Sequence, residues 1–234
     1  MRRLLLSLAA MSVVTGFIAT PNASAQQSVN FFLGGFVPTS NDARDNNDVL
    51  VHDQSFLSFR TDRFTGPTIG GEYLVGLSDF FEAGASLGFY QRTVPAADTF
   101  NTFPSGANVI ADLKLRVVPF NATFRVLPFG HRSPIVPYVG AGLGVFGWRY
   151  SESGQFVDPG DKSIFNQTYL ASGSATGPVV LGGVRVPMGP LAPGFEMRWQ
   201  SAKGNLPTDP LTGFSGSKID LGGISYLFTF NVRF

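Results

Sequence analysis

The residues that could do chemistry are few and scattered. The chain carries two histidines and no cysteine, so neither a thiolate metal site nor a disulfide framework can form. His52 stands beside Asp53, with Ser55 two positions on. A base next to a hydroxyl can activate a nucleophile, and a barrel enzyme acting on lipid or peptide would keep such a group at its outer rim. Adjacent residues on a strand point apart, however, and no second half of a site is visible, so the chain is not expected to be an enzyme. His131-Arg132 falls in a short turn and is expected in solvent. Asp42, Asp45, Asn46, Asn47 and Asp48 offer hard oxygens for Ca²⁺. Their spacing misses the EF-hand pattern and lacks its turn glycine, so a solvated loop without metal is expected. Gly142 to Gly147 matches G-x-G-x-x-G, but Trp148-Arg149-Tyr150 and a Gly/Asp/Pro stretch follow instead of a helix. The dinucleotide reading therefore fails, no cofactor is expected, and a glycine stripe that leaves room for large neighbours is the simpler account.

The charged residues that matter most are Glu72, Glu82, Arg116, Arg125, Arg185, Glu196, Arg198 and Arg233. Each lies opposite apolar neighbours in an alternating pattern. Charged residues make up 14% of the chain, against about 25% in an average soluble protein. There are 23 Phe and 28 Gly. Lys plus Arg number 17 and Asp plus Glu 16, so there is no basic excess of the kind nucleic acid requires. A chain that is apolar overall, yet has no long apolar run beyond its N-terminus, fits strands that show lipid on one face and a lumen on the other.

The elements follow from that pattern. Arg2 and Arg3, the apolar run from Leu4 to Ile18, and the small residues Ala23-Ser24-Ala25 form a secretory signal with cleavage after Ala25. Residues 1–25 are then a signal peptide and 26–234 one barrel domain. Eight strands are expected. Five show clear period-two alternation: Ile69 to Leu77, Phe81 to Arg92, Ala107 to Leu127, Phe195 to Ser201 and Ile224 to Phe234. Glycine blurs the other three, Val29 to Val37, Val136 to Tyr150 and Ala175 to Val186. Within Ala107 to Leu127 the apolar residues switch from odd to even positions after Pro119. A β-bulge near Val118-Pro119 would produce that switch; two strands with a turn at Pro119 is the other possibility. Val75, Leu87, Leu115 and Met197 are expected to face lipid, and Ser86 the lumen. Short turns at 77–79, 128–134 and 187–193 alternate with long polar stretches at 39–65, 93–106, 151–173 and 203–217, the arrangement of outer-membrane barrels.

Two stretches resemble a known family. Pro137-Tyr138-Val139-Gly140-Ala141-Gly142-Leu143-Gly144 is similar to the P-Y-V-G-A-G-x-G strand of small outer-membrane barrels of the OmpA, OmpW and opacity-protein type. The ending Tyr226-Leu227-Phe228-Thr229-Phe230-Asn231-Val232-Arg233-Phe234 resembles their C-terminal assembly signal, with Tyr226, Phe228, Phe230 and Phe234 as its aromatics. The resemblance implies an all-β, antiparallel, up-and-down barrel of about eight strands in the bacterial outer membrane, inserted by the outer-membrane assembly machinery.

Three functions are compatible with such a barrel. The first is a structural or surface-interaction role carried by long extracellular loops, which would meet an extracellular ligand while the lumen is closed by its own side chains. The second is a narrow conduit for small or apolar molecules. The third is a lipid-modifying enzyme. Eight strands leave an interior just wide enough for side chains, so a lumen network of paired charges is expected over a pore. In that network Glu82 is expected near Arg125, Glu72 near Arg116, and Glu196 near Arg233.

Overall fold

The computed structural model describes residues 26–158, 160–207 and 213–234; the expected signal peptide, with Ala23 and Ala25, lies outside them. The alternating segments form β1 (Gln27–Pro38), β3 (Gly66–Ser78), β4 (Phe81–Thr102), β5 (Asn108–Val126), β6 (Val136–Val157), β7 (Ile164–Arg185), β8 (Leu191–Gln200) and β11 (Gly223–Arg233). Each pairs antiparallel with its neighbour in this order, and β1 pairs with both β3 and β11. The ring is thus closed and leaves no edge, which is what a bilayer without hydrogen-bonding solvent demands. Between the barrel strands lie the short pieces β2 (Leu57–Ser58), β9 (Lys203–Asn205) and β10 (Lys218–Asp220), and the α-helical turn α1 (Val49–Asp53), flanked by 3-10 turns at Asn41–Ala43 and Thr61–Phe64.

An apolar belt girdles the outside. Phe31, Leu33, Ile69, Leu87, Phe120, Leu143 and Phe228 are each more than half exposed. In water such a patch would be far too large for a monomer; in a bilayer it is the lipid face. Val75, Leu87 and Met197 sit on this outer face.

The expected switch of phase at Pro119 does not occur. Pairing lapses where Gly88 and Phe89 face Val118 and Pro119, since proline has no N–H to give. The register is nevertheless the same on both sides, with Leu87 opposite Phe120 and Tyr90 opposite Val117. Odd residues of β5 therefore point inward along its whole length, from Val109 to Arg125. What changes at Pro119 is the chemistry of each face. Below it the interior is polar (Asn121, Thr123, Arg125) and the exterior apolar (Phe120, Ala122, Phe124). Above it the interior is apolar (Leu113, Leu115, Val117) and the exterior polar (Asp112, Lys114, Arg116). Leu115, expected to face lipid, is buried inside the barrel, and Arg116, expected in the lumen, points outward.

The strands also run further than expected. β4, β6 and β7 have 22 residues each, about twice what a membrane strand needs. The stretches 93–106 and 151–173, anticipated as loops, are largely the continuation of the barrel above the membrane. There the wall meets water outside and closes on an apolar core, as in an ordinary soluble β-barrel.

Candidate functional site: a lumen lined in two tiers

The lower tier is built from charge. Arg125 Nη2 lies 2.6 Å from Glu72 Oε2 and 3.0 Å from Glu196 Oε2. Arg198 Nη2 lies 2.6 Å from Glu196 Oε1, and its Nε donates to the same oxygen at 2.9 Å. Tyr138 Oη donates to Glu196 at 3.0 Å, and Asn30 Nδ2 to Glu72 at 3.2 Å. Ser86 Oγ accepts from Asn121 and from Arg198. Nearer the periplasmic end, Arg185 Nη2 donates to Glu82 at 2.7 Å and His131 Nδ1 stands 3.4 Å from the other Glu82 oxygen. The guanidinium groups of Arg125 and Arg185 lie over the Tyr138 ring at 4.8 and 4.9 Å. Two acids and two arginines thus balance in the central cluster, which a buried charge requires. Glycine makes the space: a Cβ at Gly183 would meet Tyr138 Oη at 2.5 Å, and one at Gly140 would meet Arg125 Cγ at 2.9 Å.

Several expected pairings are replaced by others. Glu82 takes Arg185 instead of Arg125, and Glu72 takes Arg125 instead of Arg116. Glu196 is held by Arg125 and Arg198. Arg233 points inward beside Ser28 in register but makes no ion pair among the described residues; its buried Nη2 has no partner. His131, expected in solvent, is 8% exposed and faces Glu82. Glu82 does stand opposite Arg125 in register, but the ion pairs reach across the lumen between strands that are not neighbours, β4 to β7, β3 to β5 and β5 to β8, and alternation along one strand holds no record of that.

The upper tier is apolar and comes from a stretch whose pattern predicts a polar, solvated loop. Residues 39–65 fold into the barrel mouth. Val49 and Leu50 of α1, with Leu57 and Phe64, are buried against Phe36, Tyr90, Leu113, Leu115, Phe146 and Trp148 of the wall. Leu206, Ile219 and Leu221 close the same core from the last extracellular loop. A signal for this was present: Val49-Leu50-Val51 and the aromatics Phe56, Phe59 and Phe64 are unusual in a loop exposed to water.

Polar latches hold the plug. Asp48 caps α1 by accepting from Leu50 N at 2.9 Å, pairs with Arg44 at 3.0 Å, and accepts from Asp220 N at 2.6 Å. Arg44 Nη1 also reaches the Asp220 carbonyl, so the first and last loops are locked together. Asp45 instead faces Lys203 and Lys218. These acids do not converge, and no cluster fit to hold a metal occurs among the described residues. Asp53 accepts from Tyr150 Oη at 2.9 Å and from Ser215 Oγ at 2.7 Å, and the buried carboxyl of Glu152 interacts with it electrostatically. Burial pushes the Asp53 carboxyl up to about 6. His52 is exposed while Asp53 is buried, so the two do not form a catalytic pair. The G-x-G-x-x-G stretch lies inside β6, with no helix after it.

No family model matches the sequence, and no curated protein does. Solved structures do match over nearly the whole chain. The outer membrane protein OprG from Pseudomonas aeruginosa superposes with a TM-score of 0.50 at 12% identity, covering 90% of this chain and 96% of that one. Neisserial surface protein A gives 0.48 at 15% identity, over 92% and 100%. Ail, the attachment invasion locus protein of Yersinia pestis, in complex with a heparin analogue, gives 0.46 at 12%, over 91% and 100%. At such identities the likeness is one of fold. The chain thus has the small eight-stranded barrel fold that OprG adopts, and its apolar belt is the face such a barrel would turn to lipid.

Proposed function

We propose that this protein is a non-enzymatic outer-membrane barrel with a structural or surface-interaction role, its lumen closed to solutes and its extracellular loops the working surface. The observation that carries this reading is the inward fold of residues 39–65, which leaves Val49 and Leu50 fully buried in the barrel mouth. The charge network beneath is a second, independent barrier. Above the membrane the outer wall stays available to partners, with Phe100 at the β4–β5 tip 75% exposed. Residues 1–25 would be removed on export, and Phe234 would serve insertion by the assembly machinery.

Planar-bilayer conductance tests the reading. Purified wild-type protein should conduct far less than a general porin, whose 16–18 strands leave an aqueous channel. Leu50→Asp should unseat the plug yet leave conductance low, because the lower tier still blocks the lumen. Leu50→Asp combined with Glu196→Ala should open it. A large steady current from the wild type would overturn the proposal in favour of a conduit.

A further inference from the structure

The outward residues just above the apolar belt carry a net positive charge, with Lys114, Arg116 and Arg149 against the carboxylate of Asp112 two positions above Lys114. Arg116 on β5 and Arg149 on β6 are direct cross-strand partners on the outer face. Lys114 follows two positions up β5 on the same face, opposite Thr93 and Ser151. Like charges placed directly opposite each other destabilise a sheet. Among the described residues none of the three makes an ion pair or hydrogen bond with a side chain of the protein. They line a shallow depression of about 330 Å³ with Gln91, Ser151 and Thr168, which add hydrogen-bonding groups.

Height and surroundings say what fills it. Val118 and Phe120 lie two and four positions below Arg116 on the same face, and Phe89 lies two below Gln91. At about 3.4 Å per residue the cations stand within roughly one headgroup of the lipid chains. On the lipid face below them, the missing side chain of outward-facing Gly71 leaves an apolar hollow rimmed by Ile69, Leu87, Phe89 and Phe120. Guanidinium forks match phosphate oxygens, and apolar rims match acyl chains.

We propose that Lys114, Arg116 and Arg149 form a binding site for the phosphorylated headgroup of an outer-leaflet lipid, with its chains against the neighbouring belt. The bound phosphates would relieve the Arg116–Arg149 repulsion and fix the barrel at its depth in the membrane.

The probe is bis-phosphorylated lipid A added to the full-length protein in neutral detergent, with binding read by native mass spectrometry and titration. The wild type should bind it, the R116Q/R149Q double variant at least tenfold more weakly. Both side chains point outward, so the variant should keep its folded, heat-modifiable mobility. An independent arm leaves the protein unchanged: lipid A stripped of both phosphates should bind at least tenfold more weakly, and inorganic phosphate at equal concentration should not compete. Equal binding by variant and wild type, equal binding of the phosphate-free lipid, or full competition by free phosphate would each overturn the proposal.

Discussion

The two tiers of the lumen line the same barrel by opposite means. Below Pro119 the wall turns its apolar side chains to lipid, so the interior inherits the polar ones and is filled by Glu72, Arg125, Glu196 and Arg198. Above it the wall meets water, so Leu113, Leu115 and Val117 turn inward and the first loop supplies Val49 and Leu50 to fill the space. The strand is continuous and its inward parity never changes. The solvent outside is what inverts. The lower tier is specific because each charge needs a partner at hydrogen-bonding distance, and it is rigid because all its members but His131 sit on barrel strands. The upper tier depends on non-directional burial and on a loop, so it is the part able to move.

That contrast can be broken from either side. The largest loss should come from Glu196→Ala, which strips both Arg125 and Arg198 of a partner and Tyr138 of its acceptor. Breaking a buried pair costs about 3–5 kcal/mol, readable as a shift of the urea unfolding midpoint in lipid vesicles. Next comes a matched pair of truncations. Leu115→Ala removes a side chain from the apolar core and should cost about 2–5 kcal/mol. Leu87→Ala on the lipid face should cost far less, because acyl chains fill the gap; equal losses in the same unfolding assay would contradict the assignment of faces. The reverse holds for charge, where Leu87→Arg should cost about 2–4 kcal/mol at mid-membrane.

A smaller effect concerns pH and the plug alone. Asp53 has its pKa raised to about 6 by burial, against about 3.9 in an unfolded chain. A carboxyl raised on closing favours the closed loop fully below the unfolded value, and that favour is lost as pH rises through about 6. Amide exchange over Val49–Asp53, corrected for its intrinsic rate, should be on the order of tenfold faster at pH 7.5 than at pH 4.5. Asp53→Asn should flatten the difference, while amides of the lower barrel should respond in neither protein. A pH response in the lower barrel as large as that of the plug would show that the tiers do not act separately.

Much of the barrel was legible in the chain because a strand displays its neighbours' solvent in every second residue. Phe195, Met197 and Trp199 against Glu196, Arg198 and Gln200 is enough to name the two faces of β8. The same logic misleads at β5: apolar residues move from odd to even positions as they would at a bulge, yet what changes is the environment outside the strand. Periodicity reports which face is apolar and is silent on whether that face meets lipid or core. Composition and alternation by themselves determined an all-β membrane barrel, its turn sites and a set of charges facing its lumen. Which glutamate meets which arginine, that Arg116 faces outward, that His131 is covered, and that residues 39–65 close the mouth were decided only by the tertiary structure. Those outcomes depend on register around a closed ring and on a loop meeting a wall far away in sequence, and one residue's neighbours along the chain hold no record of either.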